Sequence, residues 1–510
     1  MAHPTDNTSA AEPSSLFVPL KRLSSQSLIY GVGHVASRII AFLLLPFYTH
    51  LITPAEYGEV TLLFIFIAIC HVFYVYGFDI SFLRYYVMED DPRERRRIYG
   101  GTMASSMVTS LLFTAIVFLL SGPLVSVVFK DPGDVLLKAR LIRLCGVVLF
   151  LDTVSVFPFL VLRGQQKATM FTALKLMNVL VTIAFNVWLV AVLKQGIEGI
   201  FWANVWASLV TTVVSFAVTI RYLAPALSWA MLKEFAIFGF PNIPSLFFVM
   251  VIELSDRKIL EMMRTPEEVG LYSTGYKMGM FMAIVANAFR FAWQPFFLDH
   301  AKQADAQRTF ARVLTYYLWF SVFLFLGLIF FVTPLVEIQL PVLNSSLIDP
   351  RFWSGMAVFP IILLAHIFDG VYANLNVGIY LKKKTHFLPV ITGIAALVNL
   401  VGNILLIPPW GMFGAAWTTM WSYFLMAALL YWMIRRHYPI PYEWRRLAQI
   451  TVVGGALAGV FYAFPAIQWW GRLLLLAAFP AILYVIGFFN EGERRRLRTA
   501  WASVFRAAGN

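Results

Sequence analysis

Arg38 stands in the middle of an apolar stretch running from about Ser24 to Ile52, long enough to cross a bilayer. A charge at that depth is costly and is kept for a purpose. Arg143, Lys175, Lys277 and Arg290 stand in other apolar stretches, so something anionic is expected to be handled within the membrane. Ser27, Gly31, His34 and Arg38 recur every three or four residues and share one helix face. A planar, permanently charged guanidinium binds phosphate oxygens two at a time, whereas a buried lysine can lose its proton. Arg38, with His34 beside it, is therefore the first candidate to hold an anionic group. The competing reading pairs Arg38 with an acid on a neighbouring span, such as Asp79, to hold the structure together.

Other spans carry further candidates. Tyr74, Gly77, Ser81 and Arg84 form a second stripe, with Arg84 near a span end where a long side chain reaches water cheaply; substrate entry and plain anchoring suit it equally. Lys277 and Arg290 are thirteen residues apart, roughly 20 Å in helical rise and about 140° in phase, so they cannot hold one phosphate pair together. Each could bind substrate or pair with an acid. Glu253, Asp256, Arg257 and Glu261 share a span, and the four-residue spacings Glu253 to Arg257 and Arg257 to Glu261 favour ion pairs along a helix, a gate or structural clasp. Asp152, and Asp369 one turn from His366, could bind a coupling proton or sodium ion, or serve as counter-ions to cations such as Arg143.

The positions of these residues depend on the spans. Hydrophobic residues make up 60% of the 510-residue chain and charged residues 13%, a balance that cannot give a soluble surface. Apolar runs fall near 24–52, 60–88, 99–129, 136–162, 168–193, 197–223, 235–263, 269–298, 311–336, 352–381, 385–408, 411–434, 446–466 and 469–489. They predict an all-α polytopic membrane protein of about fourteen transmembrane helices. With the N-terminus inside, inner connections and tails hold 25 Lys and Arg and outer ones seven, a bias that places both termini in the cytoplasm. Positive charge follows topology, so the net +13 does not imply nucleic acid. Pro241 and Pro244 are expected to bend the seventh span. The polar first twenty residues lack the pattern of a cleaved signal peptide. Cys70 and Cys145 lie in apolar runs and support no disulfide, metal or redox motif.

The chain repeats itself. Thr53-Pro54-Ala55-Glu56-Tyr57-Gly58 follows the first span and Thr265-Pro266-Glu267-Glu268-Val269-Gly270 the seventh, 212 residues later. Gly196-Ile197-Glu198-Gly199 and Gly411-Met412-Phe413-Gly414 are 215 apart. Two coincidences at one period imply duplication of a six-span unit, with both halves entering the membrane from the same side. The expected organisation is a leader over 1–22, an N-lobe over 23–224, a C-lobe over 225–437, two added spans over 438–490 and a basic tail over 491–510. That tail reads as an amphipathic helix on the inner leaflet or as a solvated segment. Trp229, Trp353, Trp410, Trp444, Trp469 and Trp470 lie at span ends and read as an interfacial belt. Connections are short, leaving no room for a soluble catalytic domain.

Leu406-Ile407-Pro408-Pro409-Trp410-Gly411-Met412-Phe413-Gly414-Ala415-Ala416-Trp417-Thr418-Thr419 resembles the signature turn of bacterial polysaccharide exporters, including O-antigen flippases. Leu51 to Gly58, Asp256 to Leu260, Glu268 to Ser273 and Ala292 to Phe297 also look like that family, in the expected order. Pro408-Pro409 stands where one proline is usual, and the polar N-terminal leader is long. The resemblance implies the fold of the multidrug, oligosaccharidyl-lipid and polysaccharide exporter superfamily: two six-helix lobes facing a central cavity that opens alternately to either side. In the oligosaccharide branch it implies a polyprenyl pyrophosphate-linked glycan, moved from the cytoplasmic to the outer leaflet of the inner membrane, with no enzyme chemistry. The expected partners are that lipid-linked substrate, membrane lipids and other polysaccharide-assembly proteins; no cofactor is expected beyond a coupling proton or sodium ion. Lipid II flippases and cation-coupled drug exporters are the alternatives within the superfamily, the latter requiring an acidic cavity. A polysaccharide polymerase or ligase would need a large external loop.

Overall fold

The computed structural model describes residue 42 and residues 44–494, apart from 132, 241, 242, 302, 341–344, 383 and 385. In hydrocarbon each backbone polar group needs a partner within its own segment, and helices supply it. In chain order they are α1 (Leu44–Leu51), α2 (Pro54–Val75), α3 (Phe78–Met88), α4 (Pro92–Leu119), α5 (Ser121–Val128), α6 (Val135–Gly164), α7 (Ala168–Asn186), α8 (Gly196–Thr219) and α9 (Trp229–Gly239). They continue as α10 (Ile243–Met263), α11 (Pro266–His300), α12 (Ala306–Glu337), α13 (Phe359–Leu381), α14 (Phe387–Trp410), α15 (Met412–Ile434), α16 (Trp444–Ala463) and α17 (Trp469–Val485). A two-residue hairpin pairs Gln339 with Ser346, and a 3-10 turn over Pro350–Val358 leads into α13.

Eleven helices among the described residues are long and apolar enough to cross a membrane, so the chain is an all-α, multi-pass membrane protein. They answer to expected spans two to six and eight to thirteen. The first span lies outside the described residues except for its end at α1. The seventh is α10, which carries five charged residues from Glu253 to Glu261, and the fourteenth is α17, 17 residues long.

Two spans expected to be continuous are broken. Between α2 and α3, Tyr76 and Gly77 take φ of 38° and 78°, which ends one helix and starts another. The expected stripe of Tyr74, Gly77, Ser81 and Arg84 is therefore not one helix face. The third span breaks at Leu120, between α4 and α5. Helix α9 ends at Gly239 and α10 starts at Ile243, with Pro244 in its first turn; Pro241 lies outside the described residues. Helix starts use local chemistry: Pro54, Pro92 and Pro266 open helices where a missing N–H costs nothing, and Asp91 and Asp134 accept from Arg93 N and Leu137 N at 2.9 and 3.0 Å.

Contacts divide the chain into two compact units, one comprising Leu63–Pro244 with the segment up to Leu44, the other Leu45–Leu62 with everything from Ser245. This differs from the repeat boundaries of 23–224 and 225–437. Two segments account for the difference. Helix α9 packs on α3 through Phe235 against Phe78, and the start of α2 packs on the start of α11, with Gly58 against Pro266. The first unit is centred on Phe82, Tyr86, Tyr99, Phe157 and Phe235. The second is centred on Tyr272, Ile362, Ala415 and their neighbours.

The two copies of the glycine motif have matching geometry. Gly196 and Gly411 have φ of 56° and 54°, each turning the chain back so that the next glycine meets the preceding helix. A Cβ on Gly199 would lie 3.2 Å from Leu189 O, and one on Gly414 would lie 2.2 Å from Leu406 O.

Candidate functional site

The signature turn is held from a distance. Helix α14 ends and α15 begins within Pro408–Met412, leaving carbonyls and amides without helical partners. Arg264 donates to Pro408 O at 2.6 Å, and the Glu268 carboxylate accepts from Met412 N at 2.7 Å. Glu268 of the second Thr-Pro motif and the arginine just before that motif thus cap the two helix ends of the turn. In the first copy Glu56 instead closes on its own Thr53, whose N and Oγ1 donate to it at 2.7 and 2.9 Å, a reciprocal capping box.

The acids and bases of α10 form a buried clasp. Arg257 pairs with its chain neighbour Asp256 at 2.8 Å, and Glu261 takes Lys258 at 2.8 Å. Glu253 contributes its backbone carbonyl, which accepts from Arg257 at 2.5 Å. Asp256 is fully buried and also accepts from Tyr272 Oη at 2.5 Å and from Thr419 at 3.4 Å. The guanidinium of Arg257 lies 4.0 Å from the Tyr276 ring centroid. One carboxylate therefore ties α10, α11 and α15 together.

The cations expected to meet substrate have individual surroundings. Arg38 and His34 lie outside the described residues. Arg84 is exposed and sits over the Phe238 ring at 4.3 Å. Lys277 faces the Tyr57 ring at 5.1 Å, beside the crossing of α2 and α11. Arg290 donates to Asp369 Oδ1 at 2.6 Å and to Asn287 Oδ1 at 3.2 Å. Lys277 and Arg290 thus have separate surroundings, as their helical phase requires, and Asp369 is an ion-pair partner.

In the first unit, Asp152 is not the counter-ion of Arg143, whose Nε donates to Ser121 at 2.9 Å. Asp152 accepts from Ser208 Oγ at 2.6 Å and lies within electrostatic range of His71 and Lys175. Asp79 occupies the first turn of α3, also within range of His71. Sequence reasoning missed His71; its only signal was an imidazole in an apolar run.

Residues added after the repeat carry another cluster. Arg446 is buried on α16 and pairs with Glu443 at 2.9 Å and Glu493 at 3.1 Å, while Tyr316 of α12 donates to Glu493 at 2.5 Å. Burial alone would raise the Glu493 pKa, but hydrogen bonds from Tyr316 and Asn490 N and the charges of Arg446 and Arg312 bring it below the usual value. The expected tail helix from Glu493 lies almost wholly outside the described residues. Of the belt tryptophans, Trp229, Trp410, Trp444, Trp469 and Trp470 are exposed, whereas Trp353 donates to Ile348 O at 2.8 Å.

A family model described as polysaccharide biosynthesis protein matches residues 24–300, more than half of the chain. The chain belongs to that family. No curated protein matches it in sequence. In fold it is similar to a lipid II flippase, MurJ, in an inward-closed conformation, with a TM-score of 0.70, 13% identity, and coverage of 91% of this chain and 100% of that one. It is also similar to an inward-facing multidrug resistance MATE transporter of the MOP superfamily, with a TM-score of 0.64, 12% identity, and coverage of 78% and 94%. A Vibrio cholerae MATE transporter, VcmN, aligns with a TM-score of 0.57, 15% identity, and coverage of 82% and 98%. The family is thus shown by the sequence, and the fold is the one shared with those solved structures.

Proposed function

We propose that this family member is a flippase that carries a polyprenyl pyrophosphate-linked oligosaccharide from the cytoplasmic to the outer leaflet of a bacterial inner membrane by alternating access, for cell-surface polysaccharide assembly. Unassisted transfer fails because the pyrophosphate and sugar hydroxyls would lose their water in hydrocarbon, at several kcal/mol for each unsatisfied group. The observation that carries the reading is a transporter fold of a polysaccharide family whose spans contain Arg84, Lys277 and Arg290, with Arg38 in the first span. Fixed positive charge suits a phosphorylated headgroup and opposes a cationic drug. Lipid II, the cargo in the printed name of one structural neighbour, carries the same phosphate chemistry and is the alternative cargo. No covalent step is assigned to the protein, and both termini are placed in the cytoplasm.

For the driving ion we assign a proton to Asp152. His71 and Lys175 lie within electrostatic range of its carboxylate, and either base can exchange a proton with the acid inside the span. The test is reconstitution into liposomes with a fluorescent polyprenyl pyrophosphate oligosaccharide. Transfer should depend on the protein and respond to a pH gradient but not to sodium, and Asp152→Asn should lose the pH response. Export of a cationic dye in place of the glycolipid would overturn the assignment of cargo.

A further inference from the structure

We infer that Asp369 is an internal competitor for the substrate's phosphate: it holds Arg290 when the site is empty and takes it back when the headgroup leaves. The inference rests on the reading of Arg290 as a substrate ligand and adds a residue that sets affinity and release. Arg290 lies ten residues before the end of α11, about 15 Å along the helix, and within the candidate span Pro266–Leu298. Its side chain is nevertheless 45% exposed, while that of Asp369 is 15% exposed. An arginine that is open at this depth faces a hydrated surface, since contact with lipid tails would be prohibitive.

The bond to Asp369 is strong in kind but incomplete. One Nη2–H meets one carboxylate oxygen at 2.6 Å, and Nη1 reaches only the neutral Asn287 amide, at 3.2 Å. A guanidinium has five N–H donors in a fixed fork, and phosphate accepts two of them in parallel. A pyrophosphate brings more negative charge than one carboxylate and a better geometric match, so it can displace Asp369. Without Asp369, the departing headgroup would leave a bare cation within the span. With it, the departure is compensated by re-forming the pair.

The framework holds both residues in place while the pair opens. One turn beyond Arg290, the buried Trp293 indole donates to Asn374 O at 3.2 Å, locking α11 to α13. Two residues before Asp369 on α13, Tyr317 of α12 donates to Ile367 O at 3.5 Å. Opening the pair therefore requires a side-chain rotation and no movement of the helices.

The experiment uses the full chain in nanodiscs, with farnesyl pyrophosphate as the binding probe and glycolipid transfer in liposomes as the second readout. Asp369→Asn should bind the probe about tenfold more tightly and transfer glycolipid more slowly at saturation, because release is impaired. Arg290→Ala should bind weakly, and the double variant should match Arg290→Ala, showing that Asp369 acts through Arg290. Asp369→Ser is the second neutral variant if Asp369→Asn does not fold. Unchanged or weaker binding in the folded neutral variants, or tightening that survives in the Arg290→Ala background, would overturn the inference. Full-strength binding by Arg290→Ala would instead overturn Arg290 as a ligand.

Discussion

Gly58 and Gly270, the last residues of the two duplicated Thr-Pro motifs, pack backbone to backbone and do so reciprocally. A Cβ on Gly58 would lie 1.9 Å from Pro266 O, and one on Gly270 would lie 1.9 Å from Pro54 O. Lipid provides no hydrophobic force to press helices together, so close approach through small residues is a main source of cohesion. A methyl group at either position must push α2 away from α11. Gly58→Ala and Gly270→Ala should each lower stability by about 1–3 kcal/mol. The double variant should cost less than the sum, because both relieve the same contact. Thermal unfolding in detergent checks this, and strict additivity would contradict the reciprocal contact.

The signature turn depends on a cap supplied from 144 positions earlier in the chain. Glu268→Ala should cost about 1 kcal/mol, as for other lost helix caps. Gly411→Ala should cost more, about 1–3 kcal/mol, because its φ of 54° and ψ of −132° suit glycine and a Cβ there would meet Glu268 Oε1 at 2.0 Å. In the Glu268→Ala background that second cost should shrink, leaving the backbone term. Equal costs of Gly411→Ala in both backgrounds would remove Glu268 from the turn.

Asp256 and Arg257 should respond asymmetrically to single and paired replacement. Asp256→Ala leaves a buried guanidinium without its carboxylate and should cost about 3–5 kcal/mol. Arg257→Met together with Asp256→Leu removes both charges and should recover part of that loss, since a buried pair is worth little against well-packed apolar groups. Thermal unfolding again measures both, and a double variant less stable than Asp256→Ala would contradict the argument.

Acid should loosen the contact between α12 and the end of the chain. The Glu493 pKa is lowered from the ordinary value of 4.5, so its contribution is complete above that value and is lost as pH falls through the depressed one. Asp349 behaves likewise. Slight burial would raise its pKa, but hydrogen bonds from Arg351 and that residue's charge lower it overall from 3.8. Unfolding temperature should be level from neutral pH into the ordinary carboxylate range and decline below it. Glu493→Gln should lower the plateau and flatten part of the decline; an unchanged acid limb would rule out this role.

Hydropathy made the helical architecture legible, and the repeated glycine motif has matching backbone at Gly196 and Gly411. The break at Tyr76–Gly77 was not legible because the run from 60 to 88 stays apolar through it, and left-handed backbone leaves no hydropathic trace. Spacing suggested Glu253 and Glu261 as partners of Arg257, since four-residue ladders are what a straight helix surface offers. The structure adds the neighbouring Asp256, whose carboxylate pairs with Arg257 and also meets Tyr272 and Thr419. The pairing of Arg290 with Asp369 joins residues 79 positions apart, and no local pattern reveals which of several acids a cation will choose.

The most direct test of the central claim is the rate at which a labelled polyprenyl pyrophosphate oligosaccharide crosses liposomes containing the wild-type chain, Arg38→Ala or Arg38→Lys. Wild type should transfer the lipid. Arg38→Ala should lose at least tenfold in rate, and Arg38→Lys should fall between them, because an ammonium keeps the charge but cannot grip phosphate with a fork of donors. Equal rates for all three would contradict a role for fixed positive charge in carrying the headgroup.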